Sequence, residues 1–219
     1  FVHLPHSRNV FINTFGNYLG FAFCGFYTIF LVRAFNPVDF GTLSILLTFS
    51  YILANILSFG VPASIYAHVP KHLPDRKVTL DFIVTNGSAL TALSGISLII
   101  LSFFIKPIDA HFFKTGAPIS LYILALFGAQ MYILQNFVRD VLNASGKFLH
   151  INIATNASNF IKALLLIYFA MQGSITVAHV LIILGIVGPF ISFLYIFLKS
   201  NWIFKAVRQA SISYDFIKI

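Results

Sequence analysis

The residue of this sequence best suited to chemistry is Lys162, the only charged residue within 149–198. Three polar side chains precede it at spacings of three and four: Asn152, Thr155 and Asn159. In a helix, this spacing places the four side chains along one face. An ammonium group beside amides attracts anions and donates hydrogen bonds to them. The pattern therefore predicts an anion-attracting face within an otherwise apolar stretch.

A similar spacing of three and four residues occurs near the start of the chain, where Asn13 and Asn17 alternate with Gly16 and Gly20. Glycines four residues apart favour close packing of two helices, and amides can hydrogen-bond between helices. Two interpretations stay open for Asn13 and Asn17, namely helix packing and contact with a substrate.

Two arginines are further candidates for binding an anion. Arg139 follows Tyr132 and Asn136 on a third polar stripe, and Arg33 ends the first apolar run. Arg33 could instead anchor its helix at the membrane surface. Arg139 and its neighbour Asp140 project about 100° apart on a helix, so we expect them to be poor partners for each other.

The sequence shows no pattern typical of a catalytic site or a metal site. Cys24 is the only cysteine, which excludes an intrachain disulfide and a cysteine-based metal cluster. His68 and His72 are spaced for a shared metal only on a helix, and Pro70 between them argues against a helix there. The sequence contains no glycine-rich phosphate loop, paired carboxylates or nucleophile–base arrangement. We therefore expect no metal, no cofactor, no catalytic residue and no enzyme.

The composition requires a lipid environment for these side chains. Of 219 residues, 58% are hydrophobic and only 9% are charged, with a mean hydropathy of +0.90. A soluble domain usually has about 25% charged residues. The net charge of +8 could suggest nucleic acid as a partner. Because the basic residues lie in short links between apolar runs, we instead expect contacts with anionic membrane lipids and no nucleic acid.

Charges and turn signals divide the chain into runs long enough to cross about 30 Å of hydrocarbon. Pro62 and Pro189 are expected to bend or end the second and sixth helices. Residues 1–198 thus form an all-α integral membrane bundle, and 199–219 form a cytoplasmic amphipathic linker. Since the chain does not begin with Met and ends within amphipathic sequence, we expect a longer protein. The six predicted spans are about 9–33, 42–66, 82–105, 118–142, 149–171 and 175–198.

The distribution of basic residues predicts the orientation. Ten Lys and Arg residues lie in the N-terminus, the tail and the links on their side, against three in the alternate links. By the positive-inside tendency, both termini are cytoplasmic.

The depth of Lys162 makes it the leading functional candidate. It lies about 13 residues, or roughly 20 Å, into its helix. A lipid-facing lysine at this depth costs at least about 2.5 kcal/mol. A water-filled cavity would remove most of this cost; snorkelling and an ion pair outside the chain are the alternatives.

Several segments resemble polysaccharide biosynthesis flippases, members of the multidrug, oligosaccharidyl-lipid and polysaccharide exporter superfamily. The most specific is 32–41, where Arg33, a proline and the triplet Asp39-Phe40-Gly41 follow the first helix. The 57–64 and 143–147 segments and the lysine before the leucine run at 164–166 are also similar. The resemblance implies one six-helix lobe of a two-lobed exporter, the C-terminal lobe being absent from this chain.

In this family the polysaccharide branch moves polyprenyl-diphosphate-linked oligosaccharide outward across the cytoplasmic membrane. We therefore expect a lipid-linked oligosaccharide as substrate for polysaccharide or O-antigen export. Two alternatives are a multidrug or cation antiporter of the same superfamily and a membrane-embedded lipid-linked-sugar transferase. The expected diphosphate-binding residues are Lys162, Arg33 and Arg139, and the expected sugar-binding residues are Asn13, Asn17 and Asn159.

Overall fold

The computed structural model describes residues 5–73 and 75–199. This part of the chain is helical and contains no strand. The helices are α1 Pro5–Ala34, α2 Pro37–Ile56, α3 Val61–His72, α4 Arg76–Phe103, α5 Ile105–Ile108, α6 Ile119–Ala144, α7 Phe148–Met171, α8 Val177–Ile182 and α9 Gly188–Lys199.

Six helical segments are long and apolar enough to cross a membrane. The sixth is composite: α8 continues through a π-helical turn, Ile183–Val187, into α9. The prediction of an all-α bundle with six membrane spans is confirmed, and the chain is a multi-pass membrane protein. The spans are Val10–Ala34, Pro37–Ile56, Lys77–Phe103, Ile119–Ala144, Phe148–Met171 and Val177–Ile196.

The second span lies earlier than the predicted range of 42–66. It begins at Pro37, where the Asn36 side chain accepts a hydrogen bond from the Asp39 N–H and caps the helix. It ends at Ile56, because Phe59 and Gly60 adopt left-handed backbone with φ of 48° and 72°. A separate helix, α3, then begins.

Two other predictions concern the ends of spans. The third span starts before the predicted residue 82, because the Asp75 carboxylate accepts a hydrogen bond from the Val78 N–H and caps α4. The predicted linker at 199–219 lies, beyond Lys199, outside the described residues.

Helix α6 occupies the centre of the bundle. It packs against α2, α3, α4 and the sixth span, whereas α1 packs mainly along α7. We call the side of the bundle with the links 73–75 and 145–147 the basic face, and the side with the links 35–36, 104–118 and 172–176 the opposite face. The arrangement separates α1 with α7 from α2 with α6, and the two pairs share a core around Tyr27, Leu43 and Leu46.

The longest link of the opposite face is held by one carboxylate. Asp109 accepts hydrogen bonds from the Thr115 N–H and hydroxyl, the Gly116 N–H and the Tyr122 hydroxyl. Burial raises the pKa of Asp109, but the bonds from Tyr122, Thr115 and Gly116 outweigh it and leave this pKa below its ordinary value. The carboxylate thus anchors the loop to the start of α6.

Candidate functional site

Lys162 lies well inside the membrane-spanning part of the bundle. It is about 21 Å from the start of α7 and about 14 Å from its end, at 1.5 Å per residue. Its Nζ lies 5.5 Å from the centroid of the Tyr27 ring on α1, within range of a cation–π interaction. The ion pair that the structure shows between Arg139 and Asp140 lies at the end of another helix, α6. The ammonium of Lys162 therefore rests on an aromatic ring and has no carboxylate partner in this part of the chain.

The hydrocarbon stem of Lys162 lies against Gly188 of the sixth span. A Cβ atom built on Gly188 would come within 2.6 Å of Cδ and 3.2 Å of Cε of Lys162. Ser158, one turn before Lys162, donates a hydrogen bond of 2.7 Å to the Gly188 carbonyl. Only glycine leaves room for the lysine stem at this crossing.

The backbone of the sixth span is irregular beside this crossing. In the π-helical turn, the Gly188 N–H bonds to the Ile183 carbonyl, five residues back, and so leaves the Leu184 carbonyl without its usual donor. The Tyr132 hydroxyl donates to that carbonyl at 3.4 Å. Pro189 follows and has no N–H to donate. Irregular backbone is tolerated in a membrane where side chains satisfy it.

Tyrosines from three spans gather around this region: Tyr27, Tyr51 and Tyr132, which we call the tyrosine cluster. The hydroxyl oxygens of Tyr51 and Tyr132 are 2.8 Å apart and their ring centroids 4.7 Å. Tyr27 belongs to this region through its contact with Lys162. Tyr27 is 7% exposed but Tyr51 is 43% exposed, so the cluster reaches from the core to the surface of the bundle.

The amides nearer the start of α7 have a different environment. Asn152 donates to the Ile12 carbonyl at 3.2 Å, and Asn156 donates to the Gly16 carbonyl at 3.3 Å. A Cβ atom on Gly16 would lie 2.0 Å from Oδ1 of Asn152. These contacts form the α1–α7 seam, defined by Ile12, Gly16, Asn152 and Asn156. In this seam the amides serve helix packing.

The six predicted site residues are not gathered in one place. Asn159 is buried close to Lys162, and its backbone carbonyl accepts a hydrogen bond from the Tyr27 hydroxyl. Asn13 and Asn17 are exposed on the half of α1 that lies toward the basic face. Arg33 is exposed at the opposite face. The structure thus brings together Lys162 and Asn159 and separates both from the other candidates.

Arg139 lies at the basic face, far from Lys162 along the bundle. Its Nε is 3.9 Å from Oδ1 of Asp140, and its side chain is 51% exposed. The contact is longer than a hydrogen bond and the arginine is half exposed, which agrees with the expectation that these neighbours are poor partners.

The expectation that Pro70 prevents a helix around His68 and His72 is wrong. Pro70 lies inside α3, close to its end, and the rings of His68 and His72 stack with centroids 4.3 Å apart. Burial, followed by the charges of His72 and Lys71, lowers the pKa of His68. Among the described residues, no group of three His, Cys, Asp or Glu side chains could hold a metal.

Sequence reasoning missed two partners of Lys162. Tyr27 is 135 positions away along the chain and carries no local signal of the contact, since it lies in an aromatic-rich helix. Gly188 precedes Pro189, and the sequence predicts only that this proline bends or ends the sixth helix. Its glycine-specific contact with the lysine stem depends on how two spans cross.

Comparison with known proteins supplies no relative. No protein-family model, curated protein or solved structure matches the chain.

Proposed function

We propose that this chain is one lobe of a membrane transporter that flips polyprenyl-diphosphate-linked oligosaccharide. Lys162 attracts the diphosphate, and a second six-helix lobe completes the pathway. The membrane is the cytoplasmic membrane, with both termini in the cytoplasm. The observation that carries the proposal is a membrane-embedded ammonium whose nearest described partner is a tyrosine ring.

The charge distribution supports an anionic substrate. A cation with a fixed carboxylate partner is neutralised, whereas a cation on an aromatic ring keeps its hydrogen-bonding capacity for an incoming anion. Membrane-embedded charges are costly and mark substrate pathways. Lys162 has such a place on α7, and Asn159 lies one turn away on the same helix.

The neighbouring groups suit the polar part of such a substrate. A diphosphate offers oxygens that accept from the Lys162 ammonium, and a sugar offers hydroxyl groups that exchange hydrogen bonds with the tyrosine cluster. Tyr51 is the most exposed member of this cluster, so it is the first that an entering sugar would meet. Rocking of this lobe against the second lobe would then give alternating access.

The acidic residues argue against the antiporter alternative. Coupling to protons or sodium requires a carboxylate within the membrane. The carboxylates of the described residues lie in links or within a few residues of the ends of spans: Asp39, Asp75, Asp81, Asp109 and Asp140.

The proposal predicts that Lys162→Met abolishes glycan export by the full-length protein without reducing its amount in the membrane. Methionine keeps the length and apolar character of the stem but removes the charge. Binding of geranylgeranyl diphosphate to the chain in nanodiscs should weaken about tenfold or more, because a charge-assisted hydrogen bond is lost. Binding is measured by native mass spectrometry and export by surface glycan staining.

The matched control is Lys106→Met, which removes an exposed lysine from a link of the opposite face. It should leave both binding and export unchanged. Wild-type export by Lys162→Met would refute the proposal. Loss of export with unchanged diphosphate affinity would refute the diphosphate-binding role of Lys162.

A further inference from the structure

The sixth span approaches the stem of the candidate lysine at a glycine, Gly188. The stem of Lys162 passes over Gly188 so closely that an added Cβ would meet three of its carbons at 2.6, 3.2 and 3.4 Å. No other described glycine would bring a Cβ against a charged side chain. The position of the ammonium therefore depends on the absence of a side chain at residue 188.

The same glycine is held from a second side. Ser158 donates to its carbonyl at 2.7 Å, and Ser192 lies 3.4 Å from the same oxygen. Ser158 and Lys162 are four residues apart on α7, so they lie one above the other on one face. Helix α7 thus contacts Gly188 at two points, and one of them is the lysine stem.

The π-helical turn fixes the position of the contact between Gly188 and Lys162. The Gly188 N–H bonds five residues back, to Ile183, and residue 189 is a proline without an N–H. Gly185, in the turn, also lies against Gly128 of α6, with 3.2 Å between its ideal Cβ and the Gly128 Cα. The backbone at Gly188 is therefore fixed on both α6 and α7, while the Lys162 stem is the movable part of the contact.

We propose that Gly188 is a positioning residue, which directs the Lys162 ammonium to the Tyr27 ring and toward a diphosphate headgroup. This inference rests on the proposed function, since it concerns the same lysine. A side chain at residue 188 displaces the lysine stem and leaves the helix backbone in place, because the atoms it meets belong to a flexible side chain.

The test is a double-mutant cycle on the chain in nanodiscs, with geranylgeranyl diphosphate as the probe and geranylgeraniol as the uncharged comparator. Gly188→Ala should weaken binding of the diphosphate about tenfold and leave binding of the alcohol unchanged. In the Lys162→Met background, Gly188→Ala should cause no further loss, since the residue it acts through is gone. A purely structural role would give the same loss in both backgrounds.

Gly20→Ala is the matched control, because a Cβ on this membrane-helix glycine would meet no atom within 4 Å. It should bind the diphosphate like the wild type, and thermal unfolding verifies that both glycine variants are folded. If Lys162→Met weakens binding but Gly188→Ala does not, the positioning role is refuted and the proposed function stands. If Lys162→Met itself has no effect, the diphosphate-binding role fails and the positioning inference fails with it.

Discussion

Helix α7 carries two polar regions that look alike in sequence but differ in their surroundings. In the α1–α7 seam, Asn152 and Asn156 bond to backbone carbonyls of α1. Two turns further on, Lys162 faces the Tyr27 ring and the bare backbone of Gly188. In the first region the amide donors are used in hydrogen bonds between helices. In the second, the ammonium of Lys162 has no carboxylate partner among the described residues and can bind an anion. Polarity inside a membrane therefore indicates function only when its partners are known.

This difference predicts that substitutions in the seam lower the free energy of unfolding, whereas substitutions around Lys162 weaken diphosphate binding. The clearest case is Gly16→Ala, whose Cβ would overlap the Asn152 side chain and force it out of its bond to α1. We expect a loss of about 2 kcal/mol in unfolding free energy, the usual cost of overpacking. Unfolding in mixed detergent micelles measures it.

The pair Gly16→Ala with Asn152→Ala should recover most of that loss, since the smaller side chain makes room for the new Cβ. If the double variant is as unstable as Gly16→Ala alone, the close contact between these two residues is not what holds the seam together.

A smaller effect is expected from Asn156→Leu, which keeps the branching and the number of heavy atoms of the side chain but removes its donor to Gly16. Interhelical hydrogen bonds in membranes contribute about 0.6 kcal/mol on average and up to about 1.7 kcal/mol. We expect a loss in this range and an affinity for geranylgeranyl diphosphate within about twofold of wild type. A tenfold loss of affinity would instead show that the binding site extends into the seam.

The smallest effect is expected from Tyr27→Phe, because this substitution removes only the hydroxyl of Tyr27. Its ring contacts Lys162, and its hydroxyl donates to the Asn159 carbonyl. Phenylalanine retains the ring, so the diphosphate affinity should stay within about twofold while stability falls by about 0.6 kcal/mol. The same micelle unfolding and native mass spectrometry measure both quantities. Weaker diphosphate binding without a loss of stability would assign the hydroxyl to the substrate.

The sequence predicted the spans better than the partners within them. Charges mark where a helix must leave hydrocarbon, so Arg33, Lys77 and Lys147 outline the bundle. Residues 40–70 lack such marks. Pro62 predicted a bend or an end of the second helix, but the left-handed conformations of Phe59 and Gly60, which end it earlier, carry no charge signal.

For the site, periodicity indicated Lys162 and Asn159 because both lie on one helix. Periodicity within one helix holds no information on Tyr27 or Gly188, which reach the lysine from other spans. The separation of Arg33 and Arg139 to opposite faces follows from topology, but their shared charge had suggested a shared role.

The wide turn at Ile183–Val187 also affects the geometry of the sixth span beyond it. It contains one residue more than an α-helical turn, which shifts the angular phase of every later side chain by about 100°. Before it, Val177, Val180 and Leu181 point inward; after it, Ser192 and Ile196 do. If this turn adopted ordinary α-helical geometry, α9 would rotate about its own axis, and Gly188 would move away from the lysine stem.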